Sequence, residues 1–506
     1  MAGRTVNENA EYNIIIRELA DRINARTNLS QLRQLLKEDK IKAELIKDSG
    51  LEKIVLPFLN EEDAKTRKNA VLLLGNLQCQ GAVPLIMEAY QKEDTRFVKA
   101  SYVTALAQLD VENYLPQLKM RLEALMEEEA TDLNRKHLDE ERRALQNLVI
   151  RYEGITTHIF RGWEKEVKVI LQTNPAYREV VRKMVDVGEA KLHGLGVEVK
   201  TNRLKDLVNL RTYRDLLFAL DLTKENGPYI SREPVEAAKE LWNSNLYTLL
   251  EDLHGQKGPF YFRVECKSSM TLEERSGFTR KLTGELERLS GGELVNSTSD
   301  YEIEIRLVQT KTGEFYPALK LYTILDKRFS YRKNSIATSI HPSTAAVIME
   351  MAKPYLIPEG QIIDPFCGVG TMLIERNLAV TAREMYGTDT FGEAIEKARE
   401  NACLAGGRIN FIHRDFFDFK HEYKFDEIVT NMPVRGKKTK EEIDKLYEHF
   451  FTKARSILTE KGVVIMYTNE VGFVKKQLRL HKEYRLLQEY LMQKKGEFYL
   501  LIIGLA

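Results

Sequence analysis

Hydrophobic positions change their period twice along the chain. From about residue 8 to 150 they recur every three or four residues, which predicts helix after helix with almost no strand signal. Glu62–Gln78 and Asp94–Asp110 resemble each other at an offset of about 32 residues. Arg67 aligns with Lys99, Val71 with Val103, Leu74 with Leu106, Gly75 with Ala107 and Leu77 with Leu109. Helices repeating acid, base and spaced apolar residues predict a solenoid, whose units bury their faces against neighbours. Its exposed face is either a docking surface for protein or RNA, or part of a stabilising cap with no partner. Met126–Arg151 is dense in charge and predicts a solvated connecting helix.

From about residue 158 strands and helices mix. Glu166–Leu171 predicts a strand, Ala176–Met184 a helix, Val197–Val199 a strand and Thr212–Leu222 a helix. Phe260–Cys266 alternates like a half-buried strand, and Tyr301–Val308 alternates cleanly. Between them Glu273–Leu289 predicts a helix carrying Arg275, Arg280, Lys281 and Arg288, and Phe315–Leu325 predicts a further strand. The sum is a small α+β module with a basic helix. That helix either tracks a phosphate backbone or is simply a solvated face. Asp326–Lys333 leads out of the module, and His341–Lys353 predicts a helix with Pro342 near its first turn.

The last third is built around Ile362-Ile363-Asp364-Pro365-Phe366-Cys367-Gly368-Val369-Gly370-Thr371. An apolar run ends on an acid, two glycines follow, and a helical segment begins. Strand, tight turn and helix start make a nucleotide-sized site at a strand's carboxyl end. Met385–Asp389 is a second strand ending in an acid, about 20 residues past the glycines, where nucleotide folds place a ribose-binding carboxylate. A third strand, Ile409–His413, runs into Asp415 and Phe416. A fourth, Phe425–Thr430, runs into Asn431-Met432-Pro433. A helix (Lys440–Leu458), a strand (Gly462–Thr468) and a hairpin (Tyr484–Met492, Glu497–Leu505) complete the pattern.

Composition narrows the partners little. The 506 residues suggest three or four domains, and 43% hydrophobic with 30% charged residues describes a soluble protein with ample core. Lys plus Arg (76) nearly cancels Asp plus Glu (75), so a basic surface must be local. Cys79, Cys266, Cys367 and Cys403 are scattered with no CxxC pair, which predicts reduced thiols in a cytoplasmic protein and no zinc. No apolar run reaches membrane-spanning length, and the opening MAGRTVNENAEYN is not a signal peptide. No Ser/His/Asp or Cys/His constellation and no metal-ligand cluster is visible; His341, His413 and Cys367 read as structural.

DPFCGVGTMLIE followed by an Asn-x-Pro turn resembles the class I S-adenosylmethionine-dependent methyltransferases, and among them the RNA guanine-N2 methyltransferases that carry a THUMP domain. Residues 331–506 match as a Rossmann-like α/β domain with a reversed final strand. Residues 158–330, closing on Arg-Phe-Ser-Tyr-Arg, are similar to a ferredoxin-like plus THUMP-like RNA-binding module, and residues 1–157 resemble HEAT repeats outside the usual family pattern. The resemblance implies that Asp364, Phe366, Gly368, Gly370 and Thr371 hold the methionine end of S-adenosylmethionine. It puts Asp389, beside Thr390, on the ribose hydroxyls. Asp415 falls to the adenine amino group, with Phe416 or Phe391 packing on the ring. Asn431, with Met432 and Pro433, would take the target amine, and Asn431 would also border the cofactor. The implied activity is methylation of an exocyclic base nitrogen, N2 of guanosine in tRNA or rRNA, with the helical repeats free for a protein partner.

Where the family carries an aromatic after its catalytic turn, this chain has Val434-Arg435. Arg435 offers a guanidinium plane for stacking on a base; otherwise base holding is weaker, or the target is not guanine. The competing expectations are a DNA or protein-amide N-methyltransferase, and a scaffold whose methyltransferase domain is inactive.

Overall fold

Small caps set the helices of the N-terminal region. Asp63, for example, accepts from the backbone N–H groups of Lys65 and Thr66 and so starts Ala64–Asn76. The computed structural model describes residues 12–46, 49–128, 134–155, 157–222 and 227–505. The opening segment, read as no signal peptide, therefore lies largely outside the described residues, as do residues 129–133 near the start of Met126–Arg151.

The chain divides into two compact units: Met1–Thr157 with Pro259–Arg263 and Thr283–Tyr301, and His158–Gly258 with Val264–Leu282 and Glu302–Ala506. In the first, the repeat is physical. Val71 and Leu74 on helix Ala64–Asn76, with Leu77 just past its end, are buried, and so at the same spacing are Val103 and Leu106 on helix Arg96–Leu106, with Leu109 just beyond it. Gly75 lets the two helices touch, because a Cβ there would sit 2.7 Å from the Ala105 Cα. Arg67 pairs with the buried Glu93 at 2.7 Å. The connecting helix differs from expectation. One helix ends at Glu127, Glu128 is extended, and a second runs Arg135–Glu153. Leu138, Leu145 and Leu148 on it are buried, so an apolar stripe makes it part of the core instead of a solvated link.

The strands, in chain order, are β1 (Val167–Gln172), β2 (Glu189–His193), β3 (Gly196–Thr201), β4 (Leu216–Ala219), β5 (Phe260–Lys267), β6 (Leu294–Asn296), β7 (Ile303–Gln309) and β8 (Phe315–Leu321). They continue as β9 (Gln361–Asp364), β10 (Glu384–Asp389), β11 (Asn410–His413), β12 (Phe425–Asn431), β13 (Leu458–Thr468), β14 (Tyr484–Gln493) and β15 (Phe498–Leu505).

One sheet of the second unit runs β2-β3-β1-β4-β8-β7. The predicted helix Thr212–Leu222 is wrong. Leu216–Ala219 is strand β4, lying between β1 and β8. Leu217 and Phe218 are fully buried, and a short apolar run covered on both faces carries no alternation by which to tell it from a helix. β7 also departs from a half-solvated strand, since its alternating polar residues Glu304 and Arg306 are buried with its apolar ones. They survive there by pairing. Arg306 bonds Glu304, Asp215 and Gln172, and Lys320 reaches Asp215 at 2.6 Å.

The other sheet runs β11-β10-β9-β12-β13-β15-β14. β9 to β13 are mutually parallel, and β15 is antiparallel to both neighbours. Helices Thr371–Ala379, Gly392–Leu404 and Lys440–Ile457 connect the parallel strands, the last started by a Thr439–Glu442 capping box. A further helix, Val471–Leu480, went unpredicted. Ile363, Ile428, Val464, Phe450 and Leu501 form one core beside this sheet. Parallel strands bring their carboxyl ends to a single edge, which is where the sequence concentrates its acids and amides.

Candidate active site

Along that edge lies a cavity of about 1100 Å³. Asp364, Phe366, Gly368, Thr371, Asp389, Thr390, Asp415, Phe416, Asn431, Met432 and Pro433 all line it. Of the cofactor-binding and catalytic residues predicted from sequence, Gly370 is absent from that lining. Its φ of +81° caps the helix start, and a Cβ would meet the Phe411 ring at 2.8 Å.

Asp364 closes β9 and is 1% exposed. Its Oδ1 accepts from the Phe366 N–H at 3.1 Å, and no cation among the described residues pairs with it. Burial pushes its carboxyl up to about 7, with the Phe366 N–H and the Thr430 hydroxyl pulling partly back and Asp389 adding to the rise. Asp389 closes β10 and ties two turns: Oδ2 accepts from Gly368 N and Oδ1 from Phe391 N, both at 2.9 Å. Gly368 takes the positive φ (+52°) that lets its amide face that carboxylate. The Thr371 hydroxyl, at the first position of the helix, is buried without a hydrogen-bond partner among the described residues. Cys367 beside them is buried, which holds its thiol protonated and inert.

The other two strands are arranged differently. Asp415 is exposed and caps a short turn through Phe417 N at 2.9 Å. Phe416 is buried among Phe366 and Phe450, whereas Phe391 is 48% exposed at the cavity, so Phe391 is the ring with a free face. Asn431 ends β12, and its side-chain amide makes no hydrogen bond among the described residues. The next backbone N–H, of Met432, donates to the Tyr467 carbonyl at 2.9 Å and fixes the turn. Arg435 does not line the cavity; its Nε donates to the Lys438 carbonyl at 3.1 Å.

Sequence reasoning missed the remaining walls. Arg214, just before β4, and Lys267, at the end of β5, line the same cavity without an ion pair among the described residues. Burial, then the like charges of Arg306 and Arg214, push the Lys267 ammonium down. Burial with Arg214 and Arg332 pushes His341 down to about 4, so its neutral Nδ1 accepts from Ser343 N and caps the following helix. Tyr467 and Phe498 complete the wall near Asn431. Nothing in local sequence marks these residues, because their approach depends on tertiary packing.

Among the described residues no group of His, Cys, Asp and Glu is placed to hold a metal ion, and no helix is long and apolar enough to cross a membrane. Residues 330–497 match the RMKL-like methyltransferase domain, and residues 52–135 match HEAT repeats. The C-terminal segment is therefore similar to RMKL-like methyltransferase domains. The residues fit a ligand carrying an amine and a carboxylate, as S-adenosylmethionine does: a buried acid with no cation partner among the described residues, a left-handed glycine turn and a hydroxyl at a helix start with no hydrogen-bond partner among them.

A tRNA (guanine(10)-N2)-dimethyltransferase of Methanothermobacter thermautotrophicus is 35% identical over 109 residues, 21% of this chain and 32% of that protein. An uncharacterized protein of Mycoplasma genitalium is 35% identical over 77 residues, 15% of this chain and 17% of its own. The chain thus spans a third or less of the length of these relatives. Among solved structures, TrmN from Thermus thermophilus aligns over 67% of this chain and 100% of its own with 20% identity and a TM-score of 0.49. A putative methyltransferase complexed with SAH aligns over 67% and 98%, with 16% identity and a TM-score of 0.48.

Proposed function

We propose that the chain is an RNA methyltransferase that transfers a methyl group to an exocyclic base nitrogen, N2 of guanosine in tRNA or rRNA. The observation that carries this reading is one cavity lined both by Asp364, Asp389 and Asn431 and by Arg214 and Lys267, cations without an ion pair among the described residues. Cations there suit the phosphates of a nucleic acid. The chain's likeness over 109 residues to a tRNA (guanine(10)-N2)-dimethyltransferase favours RNA as that acid.

S-adenosylmethionine, when bound, supplies an electrophilic methyl group. Asp364 takes the ligand's ammonium and is thereby held ionised. The Thr371 hydroxyl and the amides at the helix start face its carboxylate. Asp389 keeps its turn in place and offers its remaining lone pairs to the ribose hydroxyls. Asp415 accepts from the adenine amine, and Phe391 packs on the ring. The Asn431 Oδ1 and the Met432 carbonyl accept the two N–H bonds of the target amine, which aims its lone pair at the methyl group. As the nitrogen gains the methyl group it gives up its surplus proton to water, so no strong base is needed, and the rate gain is proximity and orientation. A paired base must leave its helix to reach this depth. Residues 158–330, as a THUMP-like module, would hold the RNA while 331–506 carry out the transfer; residues 1–157 offer a face for a protein partner. The four free thiols suit a cytoplasmic setting.

The test uses purified protein, labelled S-adenosylmethionine and total RNA from cells lacking this gene, with DNA and protein as competitors. Label in N2-methylguanosine supports the reading. Label in another nucleoside keeps the enzyme and overturns the guanine assignment, and label in DNA or protein overturns RNA.

A further inference from the structure

A flat base beside Asn431 needs a flat surface to lie on, and few rings at the cavity offer one. Phe416 is buried and Phe391 stands at the Asp389 turn. Arg435 is turned onto the Lys438 carbonyl, and Val434 provides no plane. On the Asn431 side stand Tyr467 and Phe498. Their centroids are 5.1 Å apart and their planes 18° from parallel, a stacked pair. Tyr467 is 6% exposed and anchored, since its carbonyl holds the Met432 N–H. Phe498 is half-buried and lines the cavity.

The backbone delivers this ring by unusual means. Phe498 opens β15 directly after a turn in which Gly496 (φ +81°) and Glu497 (φ +47°) are both left-handed. A non-glycine residue there is uncommon, and such conformations gather where geometry is functionally constrained. A Cβ on Gly496 would lie 3.2 Å from the Phe498 Cε2, so glycine lets the turn rest on the ring's edge. Gln493 ties the turn by donating to the Lys495 carbonyl at 2.7 Å. One face of Phe498 is thus backed by Tyr467, one edge by the turn, and the ring is presented to the cavity.

We propose that Phe498, carried by the C-terminal hairpin and backed by Tyr467, is the stacking platform that positions the target base against Asn431. This rests on the nucleic-acid reading above and adds the residue that holds the base flat. It is a positioning residue; it moves no proton and donates no bond.

Stacking on an aromatic is worth enough that its loss lowers kcat/KM for RNA by about 10- to 100-fold. The experiment measures kcat/KM on total RNA and the affinity for S-adenosylmethionine in Phe498→Ala, Phe498→Leu and Phe498→Trp. Expected are a fall in Ala and Leu, near wild-type activity in Trp, and cofactor affinity unchanged in all three. Full activity in Leu, or no loss in Ala, would overturn the platform. A wild type that labels no RNA fails the functional reading instead, and a second readout then decides the platform alone. With Trp163 and Trp242 replaced by Phe, the indole of Phe498→Trp should lose emission when guanosine monophosphate is added. Unchanged emission would overturn the proposal without any turnover.

Discussion

Two acids in the second unit, Asp215 and Asp364, meet burial in opposite ways. Asp215 lies against Arg306 and Lys320, with Arg306 also bonded to Glu304. Although burial alone would raise it, these two cations hold its carboxyl well below the ordinary range. Asp364 is more deeply buried, has no cation partner among the described residues, and is pushed up to about 7. The first arrangement is complete within the protein and holds strands together. The second is incomplete, and an incomplete buried charge marks the place where a cationic ligand group belongs. Side-chain amides divide the same way. Gln172 accepts from Arg306, while the Asn431 side chain at the cavity has no hydrogen bond among the described residues.

The contrast can be broken most forcefully at Asn431. Asn431→Ala is expected to lower kcat at least about a hundredfold, as small misplacements of a reacting group do, with S-adenosylmethionine binding within about twofold of wild type. Next come the acids, where the signs should oppose. Asp215→Asn strips a partner from buried cations and should destabilise by about 3–5 kcal/mol in thermal unfolding. Asp364→Asn removes an unpaired buried acid and should raise the Tm of the ligand-free protein, by roughly 2–4 °C for each kcal/mol relieved. If both substitutions lowered Tm equally, the distinction would fail.

How much of this was legible beforehand follows the range of the interactions. Asp364, Asp389 and Asn431 could be found because each ends its own strand, and Gly368 and Asp415 because each follows one within a few residues, where a local pattern ends. The 32-residue repeat was visible because helical stacking keeps a sequence period. β4 was missed because Leu216–Ala219 is apolar throughout, and the buried ions of β7 looked like a solvent face. Arg214, Lys267, Tyr467 and Phe498 come to the cavity from distant segments, so no window of sequence contains them together. Arg435 shows the converse: a residue in the right place by sequence is turned away by one bond to its own loop.

A subtler effect concerns pH. The Asp364 carboxyl sits near 7 in the folded protein against its ordinary value of 3.8. Its contribution to ligand-free stability is therefore full at low pH and is lost as pH rises from about 4 towards 7, because the unfolded chain ionises first. Ligand binding has the opposite sense. The ammonium needs the ionised acid, so affinity should weaken by up to about tenfold per pH unit below 7 and level off above it. Calorimetry across that range checks this. The smallest effect expected is at Phe391, whose replacement by Ala should weaken cofactor binding only by about threefold to tenfold, the worth of one exposed ring contact.

The most direct test of the central claim is a titration of S-adenosylmethionine into the wild type and Asp364→Asn at about pH 8. The account predicts one site per chain in the wild type and at least a tenfold loss in the variant, with the variant's Tm unchanged or raised. Equal affinity in the two proteins would contradict it, because the unpaired acid would then have no part in holding the cofactor.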